Sequence, residues 1–113
     1  MPNRKFHRIR GRRKSFLKTL ENNLILREKI KTTEARAKEL RPMVEKLVSL
    51  AKKQNLASFR ILLSKLPKAA AGKLYYEIAP KYKDRKGGYL RILKTSLRRQ
   101  RDAAKQAIIE FVE

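Results

Sequence analysis

Two short stretches of this chain are almost purely cationic, and any fold it adopts must live with them. Residues 1–14 carry seven basic and no acidic side chains, and residues 81–101 carry nine basic against one acidic. Over the whole chain 31 Lys and Arg face 10 Asp and Glu, for a formal charge of +21. Repulsion on that scale opposes compaction unless a polyanion offsets it. Yet 42% of the residues are hydrophobic, far too many for a disordered basic tail. At 113 residues there is room for one domain with a modest core. A folded basic domain with a polyanionic partner is expected.

Absences narrow the field. With no cysteine there is no disulfide framework, thiolate metal site or Cys nucleophile. Apolar runs stop at three or four residues, as in Leu24-Ile25-Leu26 and Ile61-Leu62-Leu63. A membrane helix needs about 20, so no span is expected, nor a secretory segment. The acid-free N-terminus is too densely charged for an amphipathic presequence.

Residues 1–13 show no usable hydrophobic period, with only Phe6 and Ile9 as apolar anchors, and are expected to form a basic arm ahead of a single domain over 14–113. The spacing of Leu17, Leu20 and Leu24 predicts a helix over Lys14–Arg27. Residues Glu28 to Thr33 read as a strand, and Thr33 as the N-cap of the next helix. That helix, Glu34 to Lys53, is the clearest in the chain: Ala37, Leu40, Val44, Leu47, Val48 and Ala51 fall on one face. Pro42 inside it predicts a kink or an earlier break. Asn55 is placed to cap a helix over Leu56–Leu66, which Pro67 stops, and another runs from Lys68 to Ile78. A basic loop over Pro80–Gly88 follows, then strands over Tyr89–Leu97 and Ala107–Val112. The expected fold class is α+β in two layers, about four helices on a small three-stranded mixed sheet.

Catalysis finds little support. His7 is the sole histidine and no acid has ligand-like spacing to it, so phosphate contact or stacking is its expected role. Ser15-Phe16-Leu17-Lys18 and Ser49-Leu50-Ala51-Lys52 both fit the S-x-x-K pattern, but two matches in a Lys-rich helical chain without the partner motifs are chance. Gly11 ahead of Lys14-Ser15 only faintly echoes a phosphate-binding loop, with Arg13 where a glycine is required. Glu34, Glu39 and Glu45 lie among cations and are expected to form solvated ion pairs. No catalytic residue, metal site, cofactor or small-molecule substrate is expected.

The basic segments point to nucleic acid, because Lys and Arg neutralise phosphates and release condensed counterions. Arg adds planar bidentate geometry and stacks on bases. The expected contact set is Arg4, Lys5, His7, Arg8, Arg10, Arg12, Arg13, Lys14 and Lys18 at the N-terminal end. In the second basic region it is Lys81, Lys83, Arg85, Lys86, Gly87, Gly88, Tyr89, Arg91, Arg98, Arg99 and Arg101. Gly87-Gly88 permits a positive φ and close backbone approach to a phosphate, and equally an ordinary turn. Phe6, Tyr82 and Tyr89 could stack on bases or pack inward, with the core favoured for Tyr89. An acid-free arm plus a basic loop suits irregular folded RNA better than architectural DNA binding, since no single recognition helix stands out. A membrane surface is disfavoured because the best helix mixes signs.

Several strings fit together into something more specific. Glu28-Lys29-Ile30-Lys31-Thr32-Thr33, Ala35-Arg36-Ala37-Lys38-Glu39-Leu40-Arg41-Pro42 and Glu45-Lys46-Leu47 resemble the first strand and long helix of the bacterial large-subunit ribosomal protein seventeen family. Gly87-Gly88-Tyr89-Leu90-Arg91-Ile92-Leu93-Lys94 is similar to that family's glycine-tyrosine signature, and Asp102-Ala103-Ala104 with Ala107 to Val112 to its terminal strand. The match spans about residues 11–113 in the family's order. Arg27 stands where the family commonly has His, and Arg101 where it commonly has Gly. The resemblance implies a non-enzymatic constituent of the large ribosomal subunit, bound to 23S ribosomal RNA near the exit-tunnel side. It further implies neighbouring large-subunit ribosomal proteins as partners, a monomer within the ribosome and a cytoplasmic location, with an organellar ribosome as the alternative.

Overall fold

The structure, a computed structural model, describes residues 10–98 and 104–112, and side chains over 14–95 and 104–112. Helix α1 (Arg10–Arg27) leads into strand β1 (Lys29–Thr33), then helices α2 (Glu34–Ala51), α3 (Leu56–Lys65) and α4 (Lys68–Lys73). Strands β2 (Leu90–Arg98) and β3 (Lys105–Phe111) complete the chain. The α+β, two-layer architecture is as expected from sequence.

Helix α1 starts at Arg10, earlier than the apolar spacing indicates. Arg and Lys are good helix formers, so a solvated turn needs no apolar stripe to be helical. Leu17, Leu24 and Ile25 are buried, with Leu20 packed against the core. At the far end Glu28 adopts φ 64° and its N–H donates to the Leu24 carbonyl at 2.6 Å, a left-handed cap that turns the chain into β1.

Helix α2 is the central element. The Thr33 hydroxyl accepts from the Arg36 N–H at 3.3 Å, as its N-cap position predicts. Ala37, Leu40, Val44, Leu47, Val48 and Ala51 are all buried, and Pro42 lies inside an unbroken helix. Exposure explains the tolerance: Pro42 faces water, so the Lys38 carbonyl deprived of its partner can be solvated. Glu39, expected on a solvated surface, is instead 3% exposed.

The stretch after α4 departs from a regular helix. Residues Leu74–Ile78 form a wider, π-helical turn and Ala79–Tyr82 a tighter 3-10 turn. Pro80 has no N–H to donate, so a regular ladder cannot pass it, and the irregular turns keep Leu74, Ile78 and Tyr82 all in the core.

The sheet has the order β1-β3-β2, and both pairings are antiparallel, so the expected mixed sheet is corrected. Residues 99–104 are too few for the crossover that a parallel β2–β3 pair would need. On β3, Ala107, Ile109 and Phe111 face the helices, the alternation expected from sequence. The opposite face carries Lys29, Lys31, Arg91 and Leu93, all exposed, around Ile108 and Glu110.

A candidate nucleic-acid interface

The second basic region is built as an exposed loop on a rigid base. The base is aromatic: Tyr82 and Tyr89 are buried with ring centroids 5.3 Å apart, and Tyr82 stacks towards Phe111 at 6.5 Å. The Tyr82 hydroxyl donates to the Val112 carbonyl, and the Val112 N–H donates to the Tyr89 carbonyl at 2.9 Å. The loop is therefore tied to the end of β3 from both sides.

Lys52, just past α2, ties it to the helical layer. Its ammonium donates to the Tyr89 hydroxyl oxygen at 2.8 Å and to the Arg85 carbonyl. The Tyr89 hydroxyl in turn donates to the Arg85 carbonyl at 3.3 Å. The lysine's hydrogen bond holds the Tyr89 phenol below its usual pKa against the opposing effect of burial. Glu45 of α2 adds a further tie, accepting from the Leu90 N–H at 3.4 Å.

From this base the loop projects its cations. Lys81, Lys83, Arg85 and Lys86 are exposed. Gly88 takes φ 65°, where a side chain would be strained, and the Arg85 Nε donates to the Gly87 carbonyl at 3.1 Å. A Cβ at Gly87 would meet nothing, so that glycine leaves backbone open to an approaching group.

Three carboxylates elsewhere, Glu28, Glu34 and Glu110, are engaged by cations. Glu28 lies 3.2 Å from Lys73 and 3.7 Å from Lys81, and Glu110 lies 2.7 Å from Arg91 and 3.9 Å from Lys29. Glu34 sits 2.9 Å from Lys38 and 3.5 Å from Lys94, and its pKa is lowered chiefly by the Lys38 hydrogen bond. Among the described residues Lys83 and Lys86 lie in no ion pair.

The residues singled out from sequence thus separate into groups. Lys83, Arg85, Lys86, Gly87 and Gly88 come together as a solvent-facing loop, flanked by Lys81 and Arg91 with their carboxylate partners. Tyr89 is 2% exposed, so its ring supports the loop from within, the inward packing favoured for it from sequence. Lys14 and Lys18 are exposed on α1, while Arg10, Arg12 and Arg13 fall within that helix and Arg98 ends β2. Arg4, Lys5, His7, Arg8, Arg99 and Arg101 lie outside the described residues. Sequence reading passed over Lys29 and Lys31, which join the exposed outer sheet face. Strand alternation in Lys29-Ile30-Lys31 was the available signal.

Among the described residues no helix is long and apolar enough to cross a membrane. The family model described as ribosomal protein L17 matches residues 16–112. The large ribosomal subunit protein bL17 of Hydrogenobaculum sp. is 50% identical over 109 residues, covering 96% of this chain and 92% of that protein. The bL17 of Persephonella marina is 51% identical over 110 residues, covering 96% and 89%. That of Staphylococcus carnosus is 46% identical over 120 residues, covering 96% and 98%. With a match that takes in every described strand and nearly all of the helical layer, this chain belongs to the ribosomal protein L17 family.

Proposed function

We propose that this chain is a structural, non-enzymatic constituent of the large ribosomal subunit in the cytoplasm, and that it binds 23S rRNA as a monomer through two cationic elements. One is the N-terminal arm, residues 1–13, whose last four residues extend α1. The other is the loop around Lys83, Arg85, Lys86, Gly87 and Gly88. Residues 14–113 act as one body that holds the two in place, on the exit-tunnel side of the subunit and against neighbouring ribosomal proteins.

The observation that carries the reading is the pinned loop. Its backbone is fixed by Lys52, Tyr82 and Tyr89, while Lys83 and Lys86 stay exposed without an ion pair among the described residues. Cations presented on a fixed backbone neutralise phosphates with little ordering cost at the moment of binding. Between rRNA segments that would otherwise repel, such cations act as a permanent counterion.

Two measurements test this. Sedimentation of a source-cell lysate through sucrose in high salt should recover the chain in step with the large subunit, since loosely held polycations are stripped as salt rises. Recovery with the nucleoid, or at the top of the gradient, would overturn the ribosomal assignment. For the contacts, about six engaged phosphates give a slope of log K against log salt of roughly −4 to −5. Replacing Arg8, Arg10, Arg12 and Arg13 by Gln, or Lys83, Arg85 and Lys86 by Gln, should flatten that slope without unfolding the body. An unchanged slope removes the altered element from the interface.

A further inference from the structure

A second cationic site lies on the helical layer, away from the loop. Helices α1, α2 and α3 line an open cleft of about 480 Å³, within the size range of small-ligand sites. Lys14 and Lys18 reach it from α1, Lys46 from α2 and Lys65 from α3. All four are exposed, and none is in an ion pair among the described residues. Below them the lining is apolar, with Leu17 and Leu47 each 6% exposed and Met43 half-buried. Glu21 is the one carboxylate of the cleft, itself 6% exposed.

We infer that this cleft receives a nucleotide of the RNA chain, its phosphates on the lysine rim and its sugar or base on the apolar lining. The inference rests on the rRNA-binding reading and adds to it a site whose lining shares no residue with the loop. Mutual repulsion keeps ammonium groups apart unless an anion joins them, and three separate helices contribute to this group. Continuity with the arm favours RNA over an acidic protein segment: Lys14 and Lys18 sit on the helix that begins at Arg10, so a strand following the arm passes the mouth of the cleft. An acidic side chain would engage the rim alone and leave the apolar lining unused.

Glu21 gives the cleft a dependence on pH. Burial pushes its carboxyl up to about 7 in spite of Lys18 and Lys65 nearby. Lys14 and Lys18 on its own helix, Lys46 on α2 and Lys65 on α3 are the charged groups around it. Below pH 7 the carboxyl is mostly neutral and compatible with a phosphate. Above it, the carboxylate repels one.

The test is equilibrium binding of the full chain to transcribed 23S rRNA across salt concentrations. Lys18, Lys46 and Lys65 are replaced together by Gln, beside a charge-matched control that replaces Lys53, Lys68 and Lys105, none of which lines the cleft. The cleft variant should reduce the magnitude of the salt slope by about 2, from about 0.7 per phosphate, and the control by less than 1. Equal slopes for the two variants, or no change in the cleft variant, overturn the inference. If that unchanged variant is nonetheless lost from assembled subunits, the occupant is an acidic protein segment.

As a second readout, wild-type affinity should fall about threefold more than that of Glu21→Gln between pH 6 and pH 8. The difference between the two proteins is what is read, so that any group common to both cancels. Identical pH profiles would overturn the role of the cleft. Wild-type chain that fails to bind rRNA at all would sink the underlying reading, and is recognised by appearing without any substitution.

Discussion

Single residues carry two of the consequences. The Glu21 carboxyl has an ordinary pKa of 4.5 and is pushed up to about 7 by burial in the folded chain. Between those values the folded state holds a proton that the unfolded state has released, so stability falls as pH rises and levels off above 7. Glu21→Gln should therefore stabilise the free protein by about 3 kcal/mol at pH 8 and by much less at pH 4.5, read from urea denaturation at the two pH values. Equal gains at both would mean that the carboxyl is not held neutral by burial. Tyr89 concerns the loop. Tyr89→Phe keeps the buried ring and removes the hydroxyl between Lys52 and the Arg85 carbonyl. A loss of about 1 kcal/mol is expected, with faster amide exchange over residues 85–89. The salt slope for rRNA should stay unchanged, because a 2% exposed ring contacts no base. A flattened slope would return Tyr89 to the contact surface.

At the scale of elements, α2 was legible almost residue by residue, because a 3.6-residue spacing of apolar side chains leaves one face to bury. Asn55 and Thr33 were legible for a similar reason: a cap is a local hydrogen bond, and the Asn55 side chain accepts from the Ser58 N–H at 2.8 Å. The turns at Leu74–Ile78 were not, since their width answers to the core they must reach past Pro80. The direction of strand pairing depended on the 99–104 connection, and the lysine cleft on three helices meeting in space. Neither leaves a periodic trace in the chain. Pro42 tests how far packing overrides propensity. It stays exposed in an unbroken helix, so Pro42→Ala should restore an N–H to the Lys38 carbonyl at no packing cost. A gain of about 2 kcal/mol in urea denaturation is expected. A loss would mean that the proline bends α2 to fit the sheet, and that the bend is worth more than the missing hydrogen bond.

The whole molecule poses the problem with which the sequence began, a net charge of +21 on 113 residues. Local ion pairs do not resolve it. Glu28, Glu34, Glu45 and Glu110 already sit beside cations, and pairs that are partly exposed contribute a few tenths of a kcal/mol each. What holds the free chain together is the apolar core between the helices and the sheet, where Leu40, Val44, Val48, Ala107 and Ile109 lose all contact with water. The charge works against that core over distances that salt can shorten, from about 30 Å at 0.01 M to about 10 Å at 0.1 M. The free protein should therefore melt higher as sodium chloride rises from 0.01 to 0.2 M, by roughly 5 °C for about 1 kcal/mol of relieved repulsion. Polyphosphate at matched ionic strength should raise the melting temperature further, because a polyanion that binds only the folded arrangement of cations adds its binding free energy to screening. A midpoint unmoved by either salt would mean that the charged segments lie too far apart in the free chain to repel. Equal effects of chloride and polyphosphate would mean that the cations are dispersed, with no arrangement for a phosphate backbone to recognise.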